Sequence, residues 1–157
     1  MGNRADMRTT APRVLLALVL LVGPPLLAGC APGTPDAGAW RADASRATGD
    51  VRSEVATVGL ALRRHDDLFD SYLQTMVVDA EEAAGAAAEK LSAVQPPTAE
   101  LERHEEVTST LDDAASLLSE VRIAVVRHEP LTPYVGRLTA TADELDGLEQ
   151  RLRRPAG

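Results

Sequence analysis

From Trp40 onward the apolar positions recur with the period of an α-helix, and no run alternates apolar and polar as a half-buried strand would. The clearest stripe is His104, Val107, Leu111, Ala114, Leu118, Val121, Val125, His128, whose steps alternate between three and four residues. Pro96 and Pro97 precede it, Thr98 is the expected N-cap, and Glu100 and Glu102 place carboxylates in the first turns, where the helix dipole favours them. The stripe stops near Glu129-Pro130, because a residue before proline is pushed out of the α region. A last helix follows Tyr134, Leu138, Thr141, Leu145, Leu148 and Leu152, with Thr132 as cap, Pro133 at the first helical position and Arg151, Arg153 and Arg154 in the closing turns.

The region from Trp40 to Val94 reads in two ways. Val51, Val55, Val58 and Leu62 continue into Phe69, Tyr72, Met76, Ala80, Ala83, Ala87, Leu91 and Val94 with little phase slip, so a continuous 40–94 helix is one reading. That helix would be about 75 Å long against a third helix of about 45 Å, leaving much of its stripe unpaired. A break at "RRHDDLFD" removes the mismatch, with arginines closing one helix and Asp66 or Asp67 capping the next. The expectation is all-α: an up-down-up-down four-helix bundle with helices near 40–64, 68–95, 98–128 and 132–154. The alternative is an elongated three-helix bundle.

Upstream of Trp40 the pattern changes. Arg4, Arg8 and Arg13 precede "VLLALVLLV" (Val14 to Val22), which Gly23-Pro24-Pro25 ends. A basic start and a short apolar run are the layout of a secretory signal, and nine residues fall well short of the about 20 a membrane span needs. Leu27-Ala28-Gly29-Cys30 then resembles the lipobox of bacterial lipoproteins. That resemblance implies diacylglycerol on the Cys30 thiol, cleavage before Cys30, and a membrane-anchored extracytoplasmic protein without a spanning helix. Residues 1–29 would be a removed signal and 30–39 a lipidated tether, since Ala31 to Ala39 are small and rich in proline and glycine. Cys30 is the only cysteine, so the rest of the chain must fold without disulfides.

Composition narrows the partners. The net charge is −8, and residues 1–29 carry a net +2, so the remainder stands at −10. Nucleic acid and anionic lipid both select a basic footprint, so neither is expected as a partner. One lysine beside 15 arginines, with abundant alanine, is the bias of a GC-rich genome. "DVRSEVATVGLAL", "VVDAEEAAGAAAEKLSAVQPP" and "LLSEVRIAVVRHE" resemble small helical lipoproteins and secreted proteins of actinobacteria. The resemblance implies a helical bundle and carries over no catalytic residue.

Candidate chemistry is sparse. His65, His104 and His128 are each followed by acids, but position i−3 is aliphatic in each case (Leu62, Leu101, Val125), so no Glu-x-x-His chelate forms. His104 and His128 would lie about 36 Å apart on one helix. No nucleophile motif or phosphate loop is present. The expectation is no catalytic residue, no resident metal and no cofactor beyond the lipid. In the acidic cluster Asp79, Glu81 and Glu82, Asp79 and Glu82 are expected to pair with Arg122, which would set helix register. Ala83 to Ala88 suggest close helix packing. The functional expectation is a non-catalytic binding or scaffolding module in the cell envelope with a protein partner. The alternative is an extracytoplasmic bundle that binds or senses a metal or small ligand.

Overall fold

The structure, a computed structural model, describes residues 36–154. Four helices account for most of them: α1 (Ala37–Arg63), α2 (Asp70–Ser92), α3 (Leu101–Val126) and α4 (Thr132–Arg153). Single 3₁₀ turns, His65–Asp67 and Thr98–Glu100, lie in the first two connections, and there is no strand among the described residues. The protein is all-α with a four-helix arrangement.

The chain breaks between Arg63 and Asp70, and no continuous 40–94 helix exists. Asp66 and Asp67 fall within the 3₁₀ turn, and the residue capping α2 is Phe69, which makes no side-chain cap bond. Thr98 likewise begins a 3₁₀ turn instead of capping α3. Thr132 is the first residue of α4 and does not cap it. At the other end, α1 starts three residues before Trp40 because Asp36 Oδ1 accepts from the Ala39 N–H at 2.8 Å. The last residues of the supposed tether are therefore helix.

In α2 the buried positions are Leu73, Val77, Ala80, Ala84, Ala88 and Leu91. Ala80 and Leu91 are buried as read and Met76, Ala87 and Val94 pack half-buried on the core, whereas Leu73, Val77, Ala84 and Ala88 carry the centre of the stripe one residue beyond Tyr72, Met76, Ala83 and Ala87. Phe69 is 84% exposed and Tyr72 57%. The α3 stripe is buried as read from Val107 to Val125, widened by Leu117 and Ala124. Trp40, Val51, Val55, Val58 and Leu62 face inward from α1, and Leu138, Leu145, Leu148 and Leu152 from α4. Fully burying one such aliphatic side chain contributes about 1.5–3 kcal/mol.

α1 packs along α4, α2 along α3, and α1 against α2. α1 and α4 run in opposite senses: Arg63 reaches Thr139 while Arg52 reaches Glu149. At this seam one glycine position lacks room for a side chain and another has it. A Cβ on Gly59 would lie 3.4 Å from Leu138 Cβ, and one on Gly49 only 2.8 Å from Glu149 Oε1. α3 and α4 meet less closely, through ion pairs between Arg137 and Glu120 and between Arg151 and Glu106, both 2.6 Å. Of the small-residue patch on α2, Ala84 and Ala88 enter the core, whereas Ala83 and Ala86 point outward and Gly85 has open space around it.

Candidate functional site

Leu27, Ala28, Gly29 and Cys30 lie outside the described residues. The remaining candidate residues fall at two ends of the helical domain. One end holds the start of α1, the start of α3 and the end of α4. The other holds the connections after α1 and α3.

The anticipated ion pair has a different composition. Arg122 Nε donates to Glu81 Oε2, and neither Asp79 nor Glu82 pairs with Arg122. Geometry explains the choice. Glu81 follows Val77 by four residues and precedes Ala84 by three, so it borders the buried face, whereas Asp79 and Glu82 are turned toward solvent. Glu82 lines the same shallow groove as Arg122 without bonding to it.

At the α1 start, sequence reasoning missed a charged cluster. Glu100 is only 1% exposed and is clasped by two arginines. Arg41 donates from Nε at 2.9 Å and from Nη2 to Oε1, and Arg103 donates from Nη1 to Oε2. The Arg41 hydrogen bond holds the Glu100 carboxyl below the usual carboxylate range, although burial pushes it up, and Arg103 adds to the lowering. Glu100 in turn raises the pKa of the Arg41 guanidinium. Beside the cluster the Trp40 and His104 rings pack at 5.9 Å between centroids, tilted by 56°. Trp40 Nε1 and His104 Nδ1 are buried there without a hydrogen-bond partner among the described residues. His104 therefore packs on the seam, as its spacing implied.

A second clasped carboxylate adjoins. Glu149 is 4% exposed; Arg153 Nη2 donates to its Oε1, and Arg52 Nε stands 3.2 Å from its Oε2 without hydrogen-bond alignment. Gly49 leaves the space that this carboxylate fills. Local spacing offers only half of each cluster, Glu100 with Arg103 at i,i+3 and Glu149 with Arg153 at i,i+4; the other arginines come from α1, and Arg41 and Glu100 are 59 residues apart. The one further signal was Gly49 in the middle of an otherwise good helix, a hint of close approach.

At the opposite end, His65, Asp70, Gln74, His128, Glu129 and Thr132 help to line a cleft of about 430 Å³. His65 Nδ1 is 2.9 Å from the Leu62 carbonyl oxygen and Nε2 is 3.1 Å from Asp66 Oδ1. Both ring nitrogens face oxygens. Among the described residues no three His, Cys, Asp or Glu side chains gather as metal ligands.

His128 closes α3 with a φ of 53°, the only non-glycine residue in the left-handed region among the described residues. The Glu129 N–H donates to the Ala124 carbonyl at 2.9 Å and the His128 N–H to Val125 at 3.2 Å, the paired bonds of a Schellman cap. This end also displays large apolar side chains: Leu60, Phe69, Tyr72, Ile123 and Val126 are exposed, whereas only Leu101 is so at the other end.

Comparison with protein-family models, curated proteins and solved structures finds no match to this chain. Among the described residues no helix is long and apolar enough to cross a membrane.

Proposed function

We propose that the protein is a lipoprotein anchored through diacylglycerol on Cys30, and that its helical domain is a non-catalytic binding module for a protein partner in the cell envelope. The anchor rests on the Leu27-Ala28-Gly29-Cys30 box behind a basic, apolar leader. The binding role is carried by one observation: the exposed large apolar side chains crowd the end of the domain farthest from the start of α1. α1 is about 40 Å long, and Phe69 and Tyr72 follow its C-terminal end, at the opposite end of the helical domain from Asp36, the residue nearest the lipidated tether in sequence. Exposed aromatic and aliphatic side chains grouped on one region are what protein interfaces desolvate.

The test is photo-crosslinking in intact envelopes from positions 69 and 72, with position 83 on the exposed flank of α2 as control. The reading requires a discrete adduct from 69 and 72 that position 83 does not give. Equal, diffuse labelling from all three removes it.

A second reading, a small-ligand bundle, is favoured by the cleft between His65 and His128. Thermal-shift measurements with envelope metabolites, repeated on His128→Ala, separate it: a stabilisation lost in the variant supports the cleft, and no stabilisation by any compound removes it.

A further inference from the structure

Although the chain is acidic, its acids are not evenly spread. At the start of α1 and the end of α4, Gly38, Arg41, Ser45, Leu152, Arg153 and Arg154 line a groove of about 390 Å³. No Asp or Glu is among its lining residues. The nearest acid at its mouth is Asp36, close to Gly38, and that carboxylate is engaged by the Ala39 N–H. Behind the groove, Glu100 sits between Arg41 and Arg103, and Glu149 between Arg52 and Arg153. Asp146 is an outer partner of Arg52 at 3.5 Å. Four arginines against Glu100, Glu149 and Asp146 leave one positive charge, Arg154 adds a second from the exposed rim, and Asp36 at the mouth offsets one of the two, so the excess faces the groove from Arg41, Arg153 and Arg154.

The buried carboxylates also fix the guanidinium planes. A guanidinium has five N–H donors in a rigid fork. Arg41 uses Nε and Nη2 on Glu100, and Arg153 uses Nη2 on Glu149 and Nε on Ser45 Oγ at 3.4 Å, so each keeps further donors for a second acceptor. The Ser45 hydroxyl accepts from Arg153, which leaves its own hydrogen to donate. Held arginines beside a hydroxyl suit a tetrahedral oxyanion, with phosphate the best match to the fork.

We propose that this groove takes the phosphate of a phospholipid headgroup in the membrane that holds the anchor, and so stands the domain upright with Phe69 and Tyr72 outermost. The proposal rests on the lipoprotein reading. Asp36 follows Cys30 by six residues, a covalent reach of about 20 Å at most, so the headgroups lie within reach of the groove. It revises the expectation drawn from net charge: a −10 chain can still meet anionic lipid through one basic end.

Trp40, the only tryptophan, neighbours Arg41 and reports the distance of this end from the bilayer. The full lipoprotein is reconstituted into vesicles doped with a headgroup-nitroxide lipid, and quenching of Trp40 is read. The vesicles are phosphatidylglycerol, phosphatidylglycerol with added inorganic phosphate, or phosphate-free uncharged glycolipid. The proposal expects strong quenching in phosphatidylglycerol, unrelieved by millimolar inorganic phosphate. It expects weak quenching in glycolipid, and a fall to that weak level for Arg154→Glu and for the Arg153→Gln, Arg154→Gln double variant. Circular dichroism checks both variants, and the exposed Arg154→Glu alone suffices if the double variant misfolds. Wild-type quenching equal in both lipids, or unchanged in Arg154→Glu, overturns the groove. Relief by inorganic phosphate overturns the lipid as its source. Wild type that fails to float with vesicles overturns the anchor itself, which floating protein with lipid-insensitive quenching does not.

Discussion

Glu100 and Glu120 make the same kind of contact in different surroundings, and replacing each by glutamine separates burial from pairing. Glu100 is 1% exposed and faces Arg41 at 18% and Arg103 at 41% side-chain exposure. Glu120 and its partner Arg137 are 49% and 51% exposed. Removing one partner of a fully buried pair costs about 3–5 kcal/mol. Because Arg103 is half in water and glutamine keeps an acceptor oxygen, Glu100→Gln should cost about 2 kcal/mol. Glu120→Gln should cost less than about 1 kcal/mol, as wet pairs do. In urea unfolding followed by circular dichroism, the first loss lowers the midpoint by about 1 M. The Arg41 hydrogen bond lowers the folded Glu100 pKa, so its stabilisation is full above the ordinary carboxylate value of about 4.3. It is lost as pH falls through the lowered folded value, so the gap between wild type and Glu100→Gln must close in strong acid. Equal losses for the two variants, or a Glu100 gap that persists in acid, would refute the reasoning.

Three further outcomes follow from the packing. His128→Gly relieves a left-handed backbone and should raise stability by about 0.5–1 kcal/mol after the added chain entropy of glycine, read as a higher melting temperature; a lower one counts against the cap geometry. Gly49→Ala should lose the gain of about 1 kcal/mol that alanine normally brings to a helix, because its Cβ meets Glu149 Oε1. In a Glu149→Ala background the same change should recover that gain, and an identical effect in both backgrounds would show that the two sites do not touch. Leu118→Ala, at a fully buried position of α3, should cost about 2–5 kcal/mol in denaturant unfolding, and a loss below 1 kcal/mol would misplace the core.

The α3 stripe was legible because its steps of three and four admit one phase over six turns, and Val107 through Val125 are buried accordingly. The α2 stripe was read correctly at Ala80 and Leu91 and missed at its start, because Phe69 and Tyr72 look like core residues. Phe69 is the N-cap, outside the helix, and Leu73 takes the inward position beside Tyr72. Caps were harder still. Thr98 and Asp66 had the right chemistry, yet 3₁₀ turns took up those positions. Arg122 does form an ion pair, but with Glu81 and not with Asp79 or Glu82, and the choice depends on which carboxylate borders the buried face set by Val77 and Ala84. Glu100 and Glu149 have local partners in Arg103 and Arg153, but their burial comes with Arg41 and Arg52, dozens of positions away, which no local pattern encodes. The lipobox residues are read from sequence, and they lie outside the described residues.

The central claim is that Cys30 fixes this domain to a membrane, and mass spectrometry of the protein extracted from its native envelope tests it most directly. The account predicts an N-terminal peptide that begins at Cys30 and carries diacylglycerol in thioether linkage, absent from Cys30→Ser. A chain in which Cys30 is internal, or N-terminal with a free thiol, would contradict it.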